Sequence, residues 1–191
     1  MLQMKNVTIT LLTIACLSLS TALFAQKTLV VFDGGAKKDG KSWAHPRGIS
    51  TMKISWQKPF SNDTHLDFKV KCARGWAGAG WNWASWSGNG VDVSEYKNLV
   101  FRLGVSNAPL KDIFIQLTSN DGSGSDSNGP VVEILPLIKK RKKYVKISVP
   151  LKDLFGKKLD SKNIWGINFS VFGKSASEEC RIYIDQIEFT R

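Results

Sequence analysis

The amino-acid sequence predicts an all-β protein, an antiparallel β-sandwich of the jelly-roll kind. Alternation of apolar and polar residues dominates the chain. In residues 65–72, Leu66 and Phe68 fall on one side of a strand, and Asp67 and Lys69 fall on the other. Helical periodicity is scarce, and turn-forming Gly, Pro, Asn and Asp separate the alternating segments. Short strands at such spacing are typical of two packed antiparallel sheets.

The segments follow one another without an internal repeat or a linker, so about nine or ten short strands in one domain are expected. The first and last strands are expected to lie near each other, and Pro136 marks an edge strand or a bulge. Polar loops are predicted over residues 36–45 and 120–130, and one helical turn over 151–155. The predicted strands cover residues 28–33, 50–56, 65–72, part of 75–92, 99–103, 111–119, 131–138, 144–149, 163–172 and 181–189.

The N-terminal residues 1–25 are typical of a secretory signal peptide. Lys5 is the only charge before an apolar stretch over residues 7–24, and cleavage is expected near Ala25. No basic cluster follows this stretch closely, so no membrane span is expected, and the mature domain takes residues 26–191. The protein is therefore expected to be secreted to the periplasm, the cell surface or the medium.

The chain is strongly basic, with a formal net charge of +11. Such a charge favours encounter with anionic partners. Five consecutive cations at residues 139–143 would suit nucleic acid, but a signal peptide argues against that partner. Two interpretations remain: a solvated turn, or contact with an acidic polysaccharide, which salt would weaken.

The mature chain keeps two cysteines, Cys72 and Cys180. An oxidising compartment would permit one disulfide between them. Two buried thiols are equally compatible with the sequence, because it gives no distance between the two residues.

Catalytic motifs are not found in the chain. His45 and His65 are its only histidines, and HExxH, GxSxG and phosphate-loop patterns are missing. Glycoside hydrolysis needs two carboxylates that face each other across the bond, and the sequence supports no such pair. A small polysaccharide-active enzyme is therefore the least favoured hypothesis.

The stretch at residues 75–92 holds four of the seven tryptophans, separated by small residues. Trp81 and Trp83 are two apart and would share one face of a strand. If these two side chains are exposed, they would form a platform together with Trp86 for a flat hydroxylated ligand such as a sugar ring. The alternative is packing in the core and at strand ends, which carries most weight for Trp76.

These segments together resemble the galactose-binding-like jelly rolls, and more narrowly the carbohydrate-binding modules that accompany polysaccharide-degrading enzymes. The resemblance covers residues 30–189, and it rests on the order and spacing of its motifs. They are Gly78-Ala-Gly80, Asp92-Val-Ser-Glu-Tyr96, Leu99-Val-Phe101, Tyr144-Val-Lys-Ile-Ser-Val-Pro-Leu-Lys-Asp-Leu154, Ile164-Trp-Gly-Ile-Asn-Phe169 and Ile182-Tyr-Ile-Asp-Gln-Ile-Glu-Phe189.

The resemblance implies that outward residues of one sheet contact glycan. Aromatic faces would stack on sugar rings, and Arg and amide groups would bond to hydroxyls. The alternative is that the polar residues are only solvated. The predicted ligand-binding residues are Trp81, Trp83, Trp86, Arg102, Gln116, Asn168 and Phe172.

The resemblance also implies one structural calcium ion near the chain ends, held by Asp33 and Asp185. Calcium takes six to eight oxygen ligands, so backbone carbonyls would supply the rest. Relatives often carry a second carboxylate beside the first strand, where this chain has Gly34-Gly35. Otherwise Asp185 would be a buried carboxylate bonded to backbone amides.

The functional hypothesis is a secreted, non-catalytic module that binds neutral or acidic polysaccharide. Its partners could include polysaccharide-degrading enzymes on other chains. The alternative is a cell-surface adhesion domain that recognises anionic or protein partners. Fold resemblance alone does not separate the two.

Overall fold

The computed structural model describes residues 27–33, 40–45, 50–55, 65–71, 76–84, 89–106, 110–120, 126–173 and 179–191. Within these ranges the chain forms twelve β-strands and one helical turn, α1 (Leu151–Leu154). The strands are β1 (Thr28–Phe32), β2 (Lys41–His45), β3 (Ser50–Ser55), β4 (His65–Lys71), β5 (Trp76–Asn82), β6 (Asn98–Val105), β7 (Leu110–Asn120), β8 (Asp126–Asn128), β9 (Val132–Glu133), β10 (Val145–Pro150), β11 (Ile164–Gly173) and β12 (Glu179–Thr190).

The strands form two six-stranded antiparallel sheets. The first sheet has the order β10-β6-β12-β4-β3, with β1 paired to β12, and the second has the order β2-β5-β11-β7-β8, with β9 paired to β7. The predicted all-β sandwich is thus confirmed. The pairing of β1 with β12 also confirms that the first and last strands are neighbours.

The core lies between the two sheets and is built by alternation. On β11, Ile167, Phe169 and Val171 are all buried. Phe169 meets Phe101 of β6 edge to face, with ring centroids 6.0 Å apart. Because side chains alternate, the residues between these three must lie on the outer face of the second sheet.

Three predicted segments differ from the structure. The loop predicted over residues 36–45 contains β2, and the loop over 120–130 contains β8. The strand predicted over 131–138 is the short β9 followed by a 3₁₀ turn at Leu135–Leu137 that carries Pro136. β2 and β8 are short, polar edge strands, so their pairing depends on backbone bonds to a neighbour that local alternation does not reveal.

The structure bears on the cysteines of the mature chain and on the prediction that no segment spans a membrane. Cys180 is buried on β12, and Cys72 lies outside the described residues, so the disulfide between them stays one of the two predicted alternatives. No helix among the described residues is long and apolar enough to cross a membrane. The predicted signal peptide also lies outside them, so it stays a prediction.

The alternation on β11 predicts unequal stability losses from two phenylalanines of one strand. Phe169→Ala should lower the free energy of unfolding by about 3–5 kcal/mol, because it leaves a cavity between the sheets. Phe172→Ala, a half-exposed outer position, should cost clearly less. Urea unfolding of both variants measures this, and equal losses would contradict the inside–outside assignment.

Candidate functional site

The outer face of the second sheet has a shallow depression at its centre. β11 presents Asn168 and Ser170 there. The register with β5 places Gly80 beside Asn168 and Gly78 beside Ser170. Because glycine has no Cβ, these two positions leave room for flat groups to lie against the backbone.

Trp43 of β2 occupies the room above Gly80. The two residues are cross-strand partners, and a Cβ at position 80 would collide with Nε1 of Trp43. Trp43 Nε1 donates a hydrogen bond to Oδ1 of Asn168 at 3.2 Å. The indole is therefore held flat across β5, with its orientation fixed by a residue of the next strand.

Trp76 lies beside it, above Gly78. A Cβ at position 78 would stand 2.5 Å from Cζ2 of Trp76 and 3.3 Å from Cη2 of Trp43, so the two indoles are adjacent. Trp76 is 43% exposed, and the ring of His45 lies 5.9 Å from it at a tilt of 38°. Trp43 and Trp76 together form an indole platform on this face.

Phenylalanines extend the aromatic surface beyond the platform. Phe172 of β11 is the cross-strand partner of Trp76. Its ring packs edge to face on Phe114 of β7, with centroids 5.9 Å apart. Both phenylalanines are half-buried, so part of each ring faces solvent.

A cavity of about 350 Å³ opens next to Trp43. One polar group on its wall is fixed, because Gln116 Nε2 donates to the carbonyl of Gly129 at 2.7 Å. The described side chains that line the cavity are indole, amide or hydroxyl groups, and none carries a charge. The lining residues are Trp43, Trp81, Asn82, Gln116, Thr118, Asn128 and Asn168.

The prediction that Trp81 and Trp83 point outward is wrong. Trp81 is 3% exposed and packs edge to face on Phe32 within the core. Trp83 follows β5, donates from Nε1 to the carbonyl of Ile164 at 2.8 Å, and packs against the core. The two do share a side, as expected, but it is the core side, since a shift of one residue exchanges the faces of a strand. Trp86 lies outside the described residues.

The prediction that Arg102 joins Gln116 and Asn168 is also wrong. Arg102 lies on β6, in the first sheet, where it pairs with Asp185 at 3.2 Å. Gln116, Asn168 and Phe172 do point outward on the second sheet, as predicted. The residues that the sequence reasoning missed are Trp43 and Trp76. One signal for them was the spacing of Gly78 and Gly80, which indicates close approach by something flat.

The predicted calcium site at Asp33 and Asp185 stays a prediction. Asp185 is buried and engaged with a guanidinium group, and Asp33 is an exposed residue after β1. Within the described chain, no group of three or more His, Cys, Asp or Glu residues could hold a metal. The predicted site takes only two carboxylates, with backbone carbonyls as the remaining ligands, so neither observation tests it.

Comparisons with known proteins point to one family. The family model of carbohydrate binding domain 30 matches residues 26–191. A comparison with curated protein sequences found no match.

Solved structures share the fold at low identity. The family 30 carbohydrate-binding module of the cellulosomal cellulase Cel9D-Cel44B of Clostridium thermocellum is 16% identical, with 86% of this chain and 97% of that chain covered and a TM-score of 0.65. The family 11 module from Clostridium thermocellum in complex with a β-1,3-1,4-mixed-linked tetrasaccharide is 13% identical, with coverage of 85% and 94% and a TM-score of 0.59. With a matching family model and this two-sheet fold, the chain belongs to carbohydrate-binding domain family 30 and is a carbohydrate-binding module.

Proposed function

We propose that this module binds a neutral polysaccharide on the outer face of the second sheet, with the indole platform as the stacking surface. One observation carries the proposal: Trp43 and Trp76 lie side by side over Gly80 and Gly78, where no Cβ lifts them from the sheet. Such an arrangement offers two adjacent aromatic faces to a sugar chain.

The platform is organised before any ligand arrives. The hydrogen bond from Trp43 Nε1 to Asn168 holds one indole in place. Binding therefore costs little side-chain entropy at this position. An aromatic face attracts the weakly positive C–H groups of a pyranose ring, and a fixed face does so without rearrangement.

The cavity beside Trp43 supports a neutral ligand. Amide groups such as those of Gln116 and Asn168 can both donate to and accept from sugar hydroxyls. A carboxylate or sulfate would find no cation among the described lining residues. The mixed-linked tetrasaccharide of the family 11 structure makes a β-1,3-1,4-linked glucan the first polymer to test.

The proposal includes binding without catalysis. The described lining of the cavity carries no pair of carboxylates, which most glycoside hydrolysis needs. The solved family 30 relative is a module of a cellulase, which supports a role beside a polysaccharide-degrading enzyme on another chain. Export by residues 1–25 would bring this module to polymers outside the cell.

Removal of either platform indole should weaken binding. Trp43→Ala and Trp76→Ala are each expected to lower affinity for β-1,3-1,4-glucan at least about tenfold, which corresponds to roughly 1.4 kcal/mol of lost stacking. Affinity electrophoresis and calorimetry at low and high salt measure this. The wild-type affinity should persist at high salt, because the contacts are uncharged.

Trp83→Phe is the matched control for these variants. It removes the bond to the Ile164 carbonyl and should lower the melting temperature, while glucan affinity stays unchanged. If Trp83→Phe lost affinity while Trp43→Ala kept it, the platform would be assigned to the wrong face.

Gly80→Ala tests whether the platform depends on the missing Cβ. The new methyl group would displace the indole of Trp43, so affinity should fall about as far as in Trp43→Ala. In the double variant with Trp43→Ala the methyl group still meets Oδ1 of Asn168, but Trp43 no longer holds that amide in place, so it can turn away and little further loss of affinity is expected. Additive losses would show that Gly80 acts in some other way.

Export can be tested on the full chain. Expressed in a bacterium, it should yield a mature protein outside the cytoplasm that begins just after Ala25, and intact-mass measurement would locate the cut. An uncut chain that stays in the cytoplasm would remove the secreted part of the proposal.

A further inference from the structure

The outer face of the first sheet has a second cavity, of about 260 Å³. It lies on the side of the sandwich away from the indole platform, at the edge strand β10. Its composition is also different, because three of its six lining residues are charged. The lining residues are Val100, Arg102, Tyr144, Lys146, Gln186 and Glu188.

Arg102 is a fixed cation in this cavity. It pairs with Asp185 at 3.2 Å, and that carboxylate is buried, with 2% of its side chain exposed. The guanidinium also stacks over the ring of Tyr144, 5.2 Å from the centroid. The side chain of Arg102 remains 36% exposed, so a held guanidinium still presents donors to a ligand.

A strained backbone shapes the rim. Gln186 has φ of +49°, at a bulge where the register of β12 shifts between Asp185 and Glu188. A non-glycine residue in the left-handed region costs about 1–3 kcal/mol, and it persists only where the surrounding structure outweighs that cost. The bulge puts the exposed Gln186 at the cavity wall.

The basic run at residues 139–143 continues directly into this cavity through Tyr144 and Lys146. All five of its residues are exposed. The turn has a defined shape, because Lys142 has φ of +59° and its N–H donates to the Val105 carbonyl at 3.0 Å. No carboxylate in the described part of the chain pairs with Lys139, Lys140 or Lys143.

The distribution of charge over the cavity and the turn indicates which class of ligand would fit. Within the cavity, Arg102 and Lys146 are offset by the buried Asp185 and by Glu188, which lies 4.0 Å from Lys146 Nζ. Positive excess is therefore concentrated in the turn. A polymer suits this pattern if one polar unit enters the cavity while the negative groups of its neighbours lie over the turn.

We propose that the cavity and the basic turn form a second site, which binds an anionic polysaccharide such as a polyuronate. The site goes beyond the neutral-glycan function and shares no residue with the indole platform. A membrane surface is less well matched, since Leu137 is the only large apolar residue of the described chain beside the turn with substantial exposure, at 43%.

The test uses polygalacturonate as the probe, by affinity electrophoresis and calorimetry in dilute and concentrated salt. Wild-type protein should bind it in dilute buffer and release it as salt rises. The triple variant Lys139→Gln/Lys140→Gln/Lys143→Gln should bind roughly tenfold more weakly, because three exposed ion pairs each contribute a few-fold. Its affinity for β-1,3-1,4-glucan should not change.

A matched control separates a site from net charge. Lys157→Gln/Lys158→Gln/Lys162→Gln removes the same charge from the segment after α1, where the Asp160 N–H bonds Ser119 at the far end of β7. This variant should keep wild-type affinity for polygalacturonate. An equal loss would overturn the proposal in favour of diffuse attraction.

Lys146→Gln probes the cavity itself. This side chain is 70% exposed, so its removal should not disturb folding, whereas an Arg102 variant would strand the buried Asp185. A few-fold loss of polygalacturonate affinity is expected, and no loss would remove the cavity from the proposal. Three results would overturn the proposal of a second site: wild-type protein fails to bind polygalacturonate, it binds only anionic phospholipid vesicles, or Trp43→Ala loses polygalacturonate binding. Glucan binding would still test the indole platform separately.

Discussion

The absence of a Cβ at two neighbouring outer positions of β5 is the constraint on which the candidate site depends. Gly78 and Gly80 let two indoles lie on the sheet instead of standing away from it. Glycine within a strand costs roughly 0.5–1 kcal/mol relative to alanine. The opposite face of the same strand offsets that cost, since Ala77, Ala79 and Trp81 are buried in the core. One strand thus supplies both a stabilising face and the face of the candidate site.

Alternation made the fold predictable, but it did not determine which face of β5 is buried. On β11, large apolar residues at Ile167, Phe169 and Val171 leave no doubt about the buried side, so Asn168 and Phe172 were correctly predicted to face outward. β5 has small residues on both of its faces, and it has one tryptophan near each end, the two on opposite faces. No local property then indicates which face is buried, because that depends on which other strands pack against each face of β5.

The remaining errors came from long-range pairing. Arg102 was correctly predicted to point outward, but alternation gives no sheet membership, and β6 pairs with β10 and β12 rather than with β11. Trp43 was missed because β2 is a five-residue polar edge strand, read from sequence as a loop. Its pairing with β5 becomes visible only when the strand order is known. In both cases the topology was the missing information.

The two outer faces differ in the physical interaction that each can offer. The second sheet presents two adjacent indoles, one of them fixed by a hydrogen bond, and amide groups, whose attraction for a sugar does not depend on ionic strength. The first sheet presents a guanidinium anchored by a buried carboxylate and a turn of exposed cations, whose attraction is strong only in dilute salt. Because the faces lie on opposite sides of one sandwich, a polymer held on one does not block the other. If both proposed sites bind their polymers, a single module of this shape would hold a neutral and an acidic chain together, with ionic strength controlling only the acidic one.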